Sequence, residues 1–128
     1  MLISEVSEKY NLSQDTLRYY ERVGLIPRVP RKSNGIRDYD TQSCGWVEFI
    51  RCMRSAGLPI EVLIEYVALY QQGEKTKAAR KQLLLNERRL LAERIAEMQS
   101  TLARLDTKIA HYEHVAAATA ALKTPSFL

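Results

Sequence analysis

The sequence predicts an all-α fold with a small β wing: a winged helix-turn-helix followed by one long helix that pairs as a coiled coil. Three observations carry this prediction. Short amphipathic segments bounded by capping residues open the chain. A Pro-containing stretch with an Asn-Gly pair interrupts them at residues 25–40, and a heptad repeat fills residues 74–118, which contain no Gly and no Pro.

Ile3, Val6 and Tyr10 lie at helical spacing and predict a first helix over residues 2–10. Asn11-Leu12 breaks that pattern, and Ser13 is a good N-cap for a second helix over Gln14–Val23. Leu17, Tyr20 and Val23 share one face of it, and Gly24 stands where a C-terminal glycine is expected. Two short helices joined by a three- or four-residue turn form a helix-turn-helix. The next segment, LIPRVPRKSNGIRDYD, is kept from helix by Pro27 and Pro30. Asn34-Gly35 is a strong hairpin signal, so a two-stranded wing is expected with Arg31, Lys32, Ser33 and Asn34 near its tip. Asp40 caps a third helix over about 41–56, stopped by Gly57; Pro59 opens a fourth over 59–72, stopped by Gly73.

Beyond Gly73, Leu84, Leu91, Met98, Leu105 and Tyr112 recur every seven residues, with Ile95, Leu102 and Ile109 interleaved. This is the a/d seam of a left-handed coiled coil, and Ala116 extends it. A helix over 74–118 is ~65 Å long, and its apolar stripe needs a partner helix, most simply its own copy. The expected organisation is therefore a winged helix-turn-helix unit over 1–73, a dimerisation helix over 74–118 and a short tail over 119–128.

Composition bounds the function. The chain has 128 residues, enough for one domain or one domain with an appended element. Net charge is +4, from 19 Lys and Arg against 15 Asp and Glu, which permits a nucleic-acid partner without proving one. The positive charge is concentrated: Arg28, Arg31, Lys32 and Arg37 fall in one stretch without an acid, fitting either a solvated loop or a phosphate-facing patch. No run of about 18 apolar residues is present to span a membrane, and the N-terminus lacks the pattern of a signal peptide. Two cysteines make no disulfide scaffold and fit a reducing, cytoplasmic setting. No cofactor is expected.

Arg18 and Tyr19 of the second helix, with Arg37 and Tyr39 of the wing, are the residue types that hold phosphates or read base edges. At this point TLRYYERVGLIPR, followed by KSNGIRDYD, resembles the MerR family of transcriptional regulators, and CMRSAGLPIEVLIEY resembles its AdhR/NmlR-like branch. The resemblance implies a homodimer with an antiparallel coiled coil. It would bind a pseudopalindromic promoter with an over-long spacer and distort it so that RNA polymerase engages both promoter elements. Carried over residue by residue, it implies DNA contacts by Arg18 and Tyr19 in the helix and by Asn34, Arg37 and Tyr39 in the wing, with Ser13 and Thr16 beside them. It also implies a signal from aldehyde, carbonyl or nitrosative stress, received by Cys52.

The residues by themselves leave Cys52 open. Phe49 three residues before it and Ala56 four after place it on the apolar face, where it reads as a small buried hydrophobe. An adduct there would strain the packing by ~1–3 kcal/mol. Cys44 lies eight residues earlier, ~12 Å along a helix, too far for a disulfide within the chain. Residues 53–128 hold no cysteine, and His111 with His114 make a poor metal site without a third donor, so no metal is expected. A thiol enzyme would need a catalytic His or a CxxC pair near the cysteine, and residues 40–58 have neither. A coiled-coil adaptor would leave the basic wing and the RYY helix idle.

Overall fold

The computed structural model describes residues 1–122, with side chains through Thr119. Five α-helices follow in order: α1 (Ile3–Tyr10), α2 (Gln14–Val23), α3 (Thr41–Ser55), α4 (Ile60–Gln71) and α5 (Lys77–Leu122). A single 3₁₀ turn, Glu74–Thr76, precedes α5.

The helix ends have local chemical causes. Glu5 accepts the Leu2 N–H at 2.7 Å at the start of α1, and Asn11 ends that helix in the left-handed region at φ 54°. Ser13 caps α2 by accepting the Thr16 N–H at 3.0 Å. Gly24 closes it at φ 85°, while the Tyr20 carbonyl takes the Leu25 N–H at 2.9 Å. Asp40 caps α3 by accepting the Ser43 N–H at 2.8 Å. Pro59 departs from the expected position: at ψ 142° it is extended, so it precedes α4 as the cap and Ile60 is the first helical residue.

The wing is where the structure departs most. No strand pair forms among the described residues; a single antiparallel bridge joins Arg31 to Arg37. The Asn34-Gly35 turn is present, with Lys32 N–H on the Ile36 carbonyl at 2.8 Å and Gly35 N–H on the Lys32 carbonyl at 2.9 Å. A longer ladder is starved of donors, since Pro27 and Pro30 carry no N–H. Val29 beside it is drawn wholly into the core instead.

Two compact units divide the described chain, one running from Met1 to Glu87 and one beginning at Arg88. The first extends past the expected boundary at residue 73 to take in the start of α5. Its core is built by Val6, Leu17, Leu25, Ile26, Val29, Val47, Ile50 and Leu63, all buried. Beside it Trp46, Phe49, Tyr66 and Tyr70 form an aromatic cluster, with Trp46 and Tyr70 ring centres 4.9 Å apart in edge contact. Thr76 fixes the entry to α5, its hydroxyl within hydrogen-bond distance of the Leu69 carbonyl at 2.6 Å and accepting from Arg80 Nε at 3.0 Å.

The second unit is the continuation of α5. Its helix runs beyond the expected end at 118, through Leu122; the remainder of the expected tail, 123–128, lies outside the described residues. Ile95, Met98, Leu102, Leu105, Ile109 and Tyr112 are all exposed in the single chain, Met98 most of all at 71%. Leu84 and Leu91 of the same repeat are half-buried.

Candidate nucleic-acid interface

α2 buries Leu17 and Tyr20 and packs Tyr19 and Val23 partly against the core. Ser13 and Arg18 are exposed, Thr16 and Tyr19 half-buried. Ser13 also donates its hydroxyl to Thr16 Oγ1 at 2.8 Å, which orders the first turn. Arg18 folds back along its own helix, with Nη1 on Asp15 at 3.0 Å and Nη2 on Gln14 at 3.3 Å. Both bonds lie at the surface between i,i+3 or i,i+4 neighbours, so they hold Arg18 weakly and give it up to a stronger acceptor. The Arg22 guanidinium lies over the Tyr19 ring at 5.5 Å.

In the wing Asn34 stands exposed at the tip, its side chain accepting the Ile36 N–H at 3.2 Å. Arg37 is half-buried and tied inward: its Nε donates to Glu21 Oε1 at 2.7 Å. Arg31 Nη2 reaches the same oxygen at 3.2 Å, and Glu21 Oε2 accepts the Val29 N–H at 2.7 Å. Burial pushes the Glu21 carboxyl up, but the bonds from Arg37, Arg31 and Val29, with the charge of Arg31, outweigh it and hold its pKa below the usual glutamate value. The basic stretch is therefore less positive than its sequence suggests, because one buried acid from α2 holds two of its four cations.

Glu21 escaped the sequence reading. The available signal was a lone acid in the RYYER segment of α2, ahead of a stretch with four cations and no acid of its own.

Tyr39 is placed differently from expectation. It is only 1% exposed and belongs to the core, so its hydroxyl does not stand at the surface as a wing contact would. Burial raises its pKa, against the lowering influence of Arg37 and other nearby arginines. That hydroxyl has no hydrogen-bond partner among the described residues.

Cys52 does not have the buried surroundings expected of it. Cys44 is buried, its Sγ 4.0 Å from the Tyr39 carbonyl, whereas Cys52 is exposed. The buried stripe of α3 runs Cys44–Val47–Ile50, and Cys52 is two residues, roughly 200°, beyond Ile50. An adduct on Cys52 therefore meets solvent, and the expected strain within a packed face does not arise. Among the described residues, no three His, Cys, Asp or Glu side chains gather as a metal site would require. No helix among the described residues is long and apolar enough to cross a membrane.

Residues 1–69 match the MerR HTH family regulatory protein, and residues 45–108 match the MerR DNA-binding family. The chain belongs to the MerR family. The family and the relatives that this chain matches are transcription regulators rather than enzymes. It is 56% identical over 93 residues to the HTH-type transcriptional regulator AdhR of Bacillus subtilis (strain 168). That match spans 73% of this chain and 66% of AdhR, a little under two thirds of the relative's length. A MerR family regulator from Listeria monocytogenes has the same fold at a TM-score of 0.93 and 48% identity, covering 96% of this chain and 94% of that one. HiNmlR, a MerR family regulator lacking the sensor domain and solved bound to promoter DNA, matches at a TM-score of 0.81 and 27% identity, covering 91% and 92%.

Proposed function

We propose that this MerR regulator acts as a homodimer on promoter DNA, distorting an over-long spacer so that RNA polymerase engages both promoter elements. In this reading Arg18 and Tyr19, flanked by Ser13 and Thr16, face the DNA from α2, and Asn34 and Arg37 face it from the wing. Tyr39 lies beneath the wing as core support. The dimer forms by antiparallel pairing of α5 through Leu84, Leu91, Ile95, Met98, Leu102, Leu105, Ile109 and Tyr112.

The observation that carries the reading is the exposure of Ser13 and Arg18 on one side and of Asn34 at the wing tip on the other. Both segments present donors, and Glu21, near the end of α2, ties that helix to the wing through Arg31 and Arg37 at 3.2 and 2.7 Å. The resemblance to a regulator solved on promoter DNA supports it.

The signal is an aldehyde, carbonyl or nitrosative electrophile, and Cys52 receives it. Two facts support this: the likeness to AdhR, and the exposure of Cys52, which leaves its thiol open to attack while Cys44 is covered. For an aldehyde, the Cys52 sulfur adds to the carbonyl carbon and the thiol proton passes to the oxygen, giving a reversible hemithioacetal. With no packed face to pry apart, the adduct changes the surface that α3 presents.

The test is an electrophoretic shift with the DNA upstream of the protein's own coding sequence, across a salt series. Binding whose affinity falls linearly in log–log form with salt supports the reading; no shift at any salt refutes it. Promoter induction by a reactive aldehyde in Cys44→Ser and Cys52→Ser then tests the signal. Full induction in Cys52→Ser removes that thiol from the mechanism.

A further inference from the structure

We infer that Glu21 is a positioning residue that sets how far binding depends on DNA geometry and how far on charge alone. It holds the two wing arginines in one arrangement against α2 and removes one charge from the phosphate-facing surface. The inference rests on the reading that α2 and the wing face DNA.

Glu21 occupies the one place from which a single side chain reaches all the parts concerned. It projects from α2 between core Tyr20 and exposed Arg22. Its Oε1 takes Arg37 Nε at 2.7 Å and Arg31 Nη2 at 3.2 Å, so both ends of the Arg31–Arg37 bridge converge on one oxygen. Its Oε2 takes the N–H of Val29, a core residue, at 2.7 Å. Arg31 returns to the same residue, donating Nη1 to the Val29 carbonyl at 2.9 Å. Among the described residues, these are the ion pairs that join α2 to the wing. The Glu21 side chain is 9% exposed, so water and salt screen the pairs far less than they screen surface pairs.

A carboxylate is unfavourable beside DNA, where it meets phosphates of its own sign. Its presence is explained by what it prevents. Two unrestrained arginines would follow the phosphates of any duplex, because that attraction carries no sequence information. Held by Glu21, Arg37 keeps its terminal nitrogens in a fixed direction while its Nε is occupied. A duplex with phosphates in the matching position gains the contact; a duplex without them cannot draw the side chain out.

Glu21→Gln keeps the shape and one acceptor oxygen but removes the charge. Binding is measured by fluorescence anisotropy across salt for the upstream duplex and for a scrambled duplex of the same length. The expected result is tighter binding of the scrambled duplex, a salt slope steeper by about 0.9, and several-fold lower discrimination between the two. Glu21→Asp restores the charge and returns the slope toward wild type. If instead both affinities fall in parallel with an unchanged salt slope, Glu21 merely braces the fold and the inference is overturned. If wild type binds neither duplex, the reading of α2 and the wing as the DNA face fails, and that outcome is distinct because no slope exists to compare.

Discussion

Leu102→Glu tests the α5 seam. In the single chain Leu102 is 58% exposed, and its five companions from Ile95 to Tyr112 range from 46% to 71%. Complete burial of such a side chain is worth about 1.5–3 kcal/mol, so covering the remaining half yields roughly 1 kcal/mol at each position. Six positions on each of two helices give roughly 12 kcal/mol, of the same order as the ~4–15 kcal/mol that association costs. The half-buried Leu84 and Leu91 add to the favourable side. A seam so balanced does not tolerate a charge. Glutamate at 102 forfeits about 1 kcal/mol of burial and adds several kcal/mol for an unpaired carboxylate kept from water. Two-fold symmetry applies the loss twice, so the dissociation constant rises by at least roughly a thousandfold. Sedimentation velocity at micromolar concentration should show wild type at twice 14.7 kDa and Leu102→Glu as monomer or aggregate. Ser100→Glu, on the opposite face of the heptad, should remain dimeric. A Leu102→Glu protein that sediments as the wild-type dimer would refute the seam.

Two glycines should respond to alanine in opposite directions. Gly24→Ala meets only an ordinary contact, Ile64 Cγ2 at 3.8 Å, but must adopt φ 85°, so about 1–2 kcal/mol of stability is lost and the melting temperature falls by several degrees. Gly45→Ala lies within α3 with nothing within 4 Å of the added carbon, so the same measurement should show a gain of about 0.5–1 kcal/mol. Acid should loosen the wing through Glu21, on which Arg31 and Arg37 converge and near which Tyr39 lies. Its pKa is lowered by folding, so its contribution is complete above the unfolded value and is lost as pH falls through the folded one. Urea melts of wild type and Glu21→Gln between about pH 3 and 7 should therefore converge at the acid end; parallel curves would contradict the assignment. A disulfide reagent followed by mass spectrometry should label Cys52 in the native protein and Cys44 only after unfolding.

What was legible in the sequence was what depends on near neighbours. Ser13, Asp40 and Gly24 mark their helix ends because a cap is decided within three or four residues. The long α5 was legible because a stretch without Gly or Pro and a repeat of seven need no knowledge of the fold. The wing was half legible: the Asn34-Gly35 turn is local, but a ladder needs donors that Pro27 and Pro30 lack. Glu21 was not legible, because it meets Val29, Arg31 and Arg37 across eight, ten and sixteen residues. Cys52 misled because Phe49 stands three residues before it and Ala56 four after. Those two are only half-buried and Cys52 itself is exposed, whereas the fully buried row is the one through Cys44, Val47 and Ile50.

The single bridge of the wing also governs what can attach to it. A two-stranded ribbon has an outer edge whose row of N–H and C=O groups can template another chain. Here the backbone bonds from Lys32 to Ile36 and from Asp38 to Pro30 close the loop on itself, and Pro30 offers no donor. A neighbouring molecule finds no rail along which to add a strand, and Lys32 at the tip repels its own copy. Crowded copies of this regulator are thereby denied edge-to-edge aggregation through the wing, the segment with the least regular structure in the DNA-binding unit.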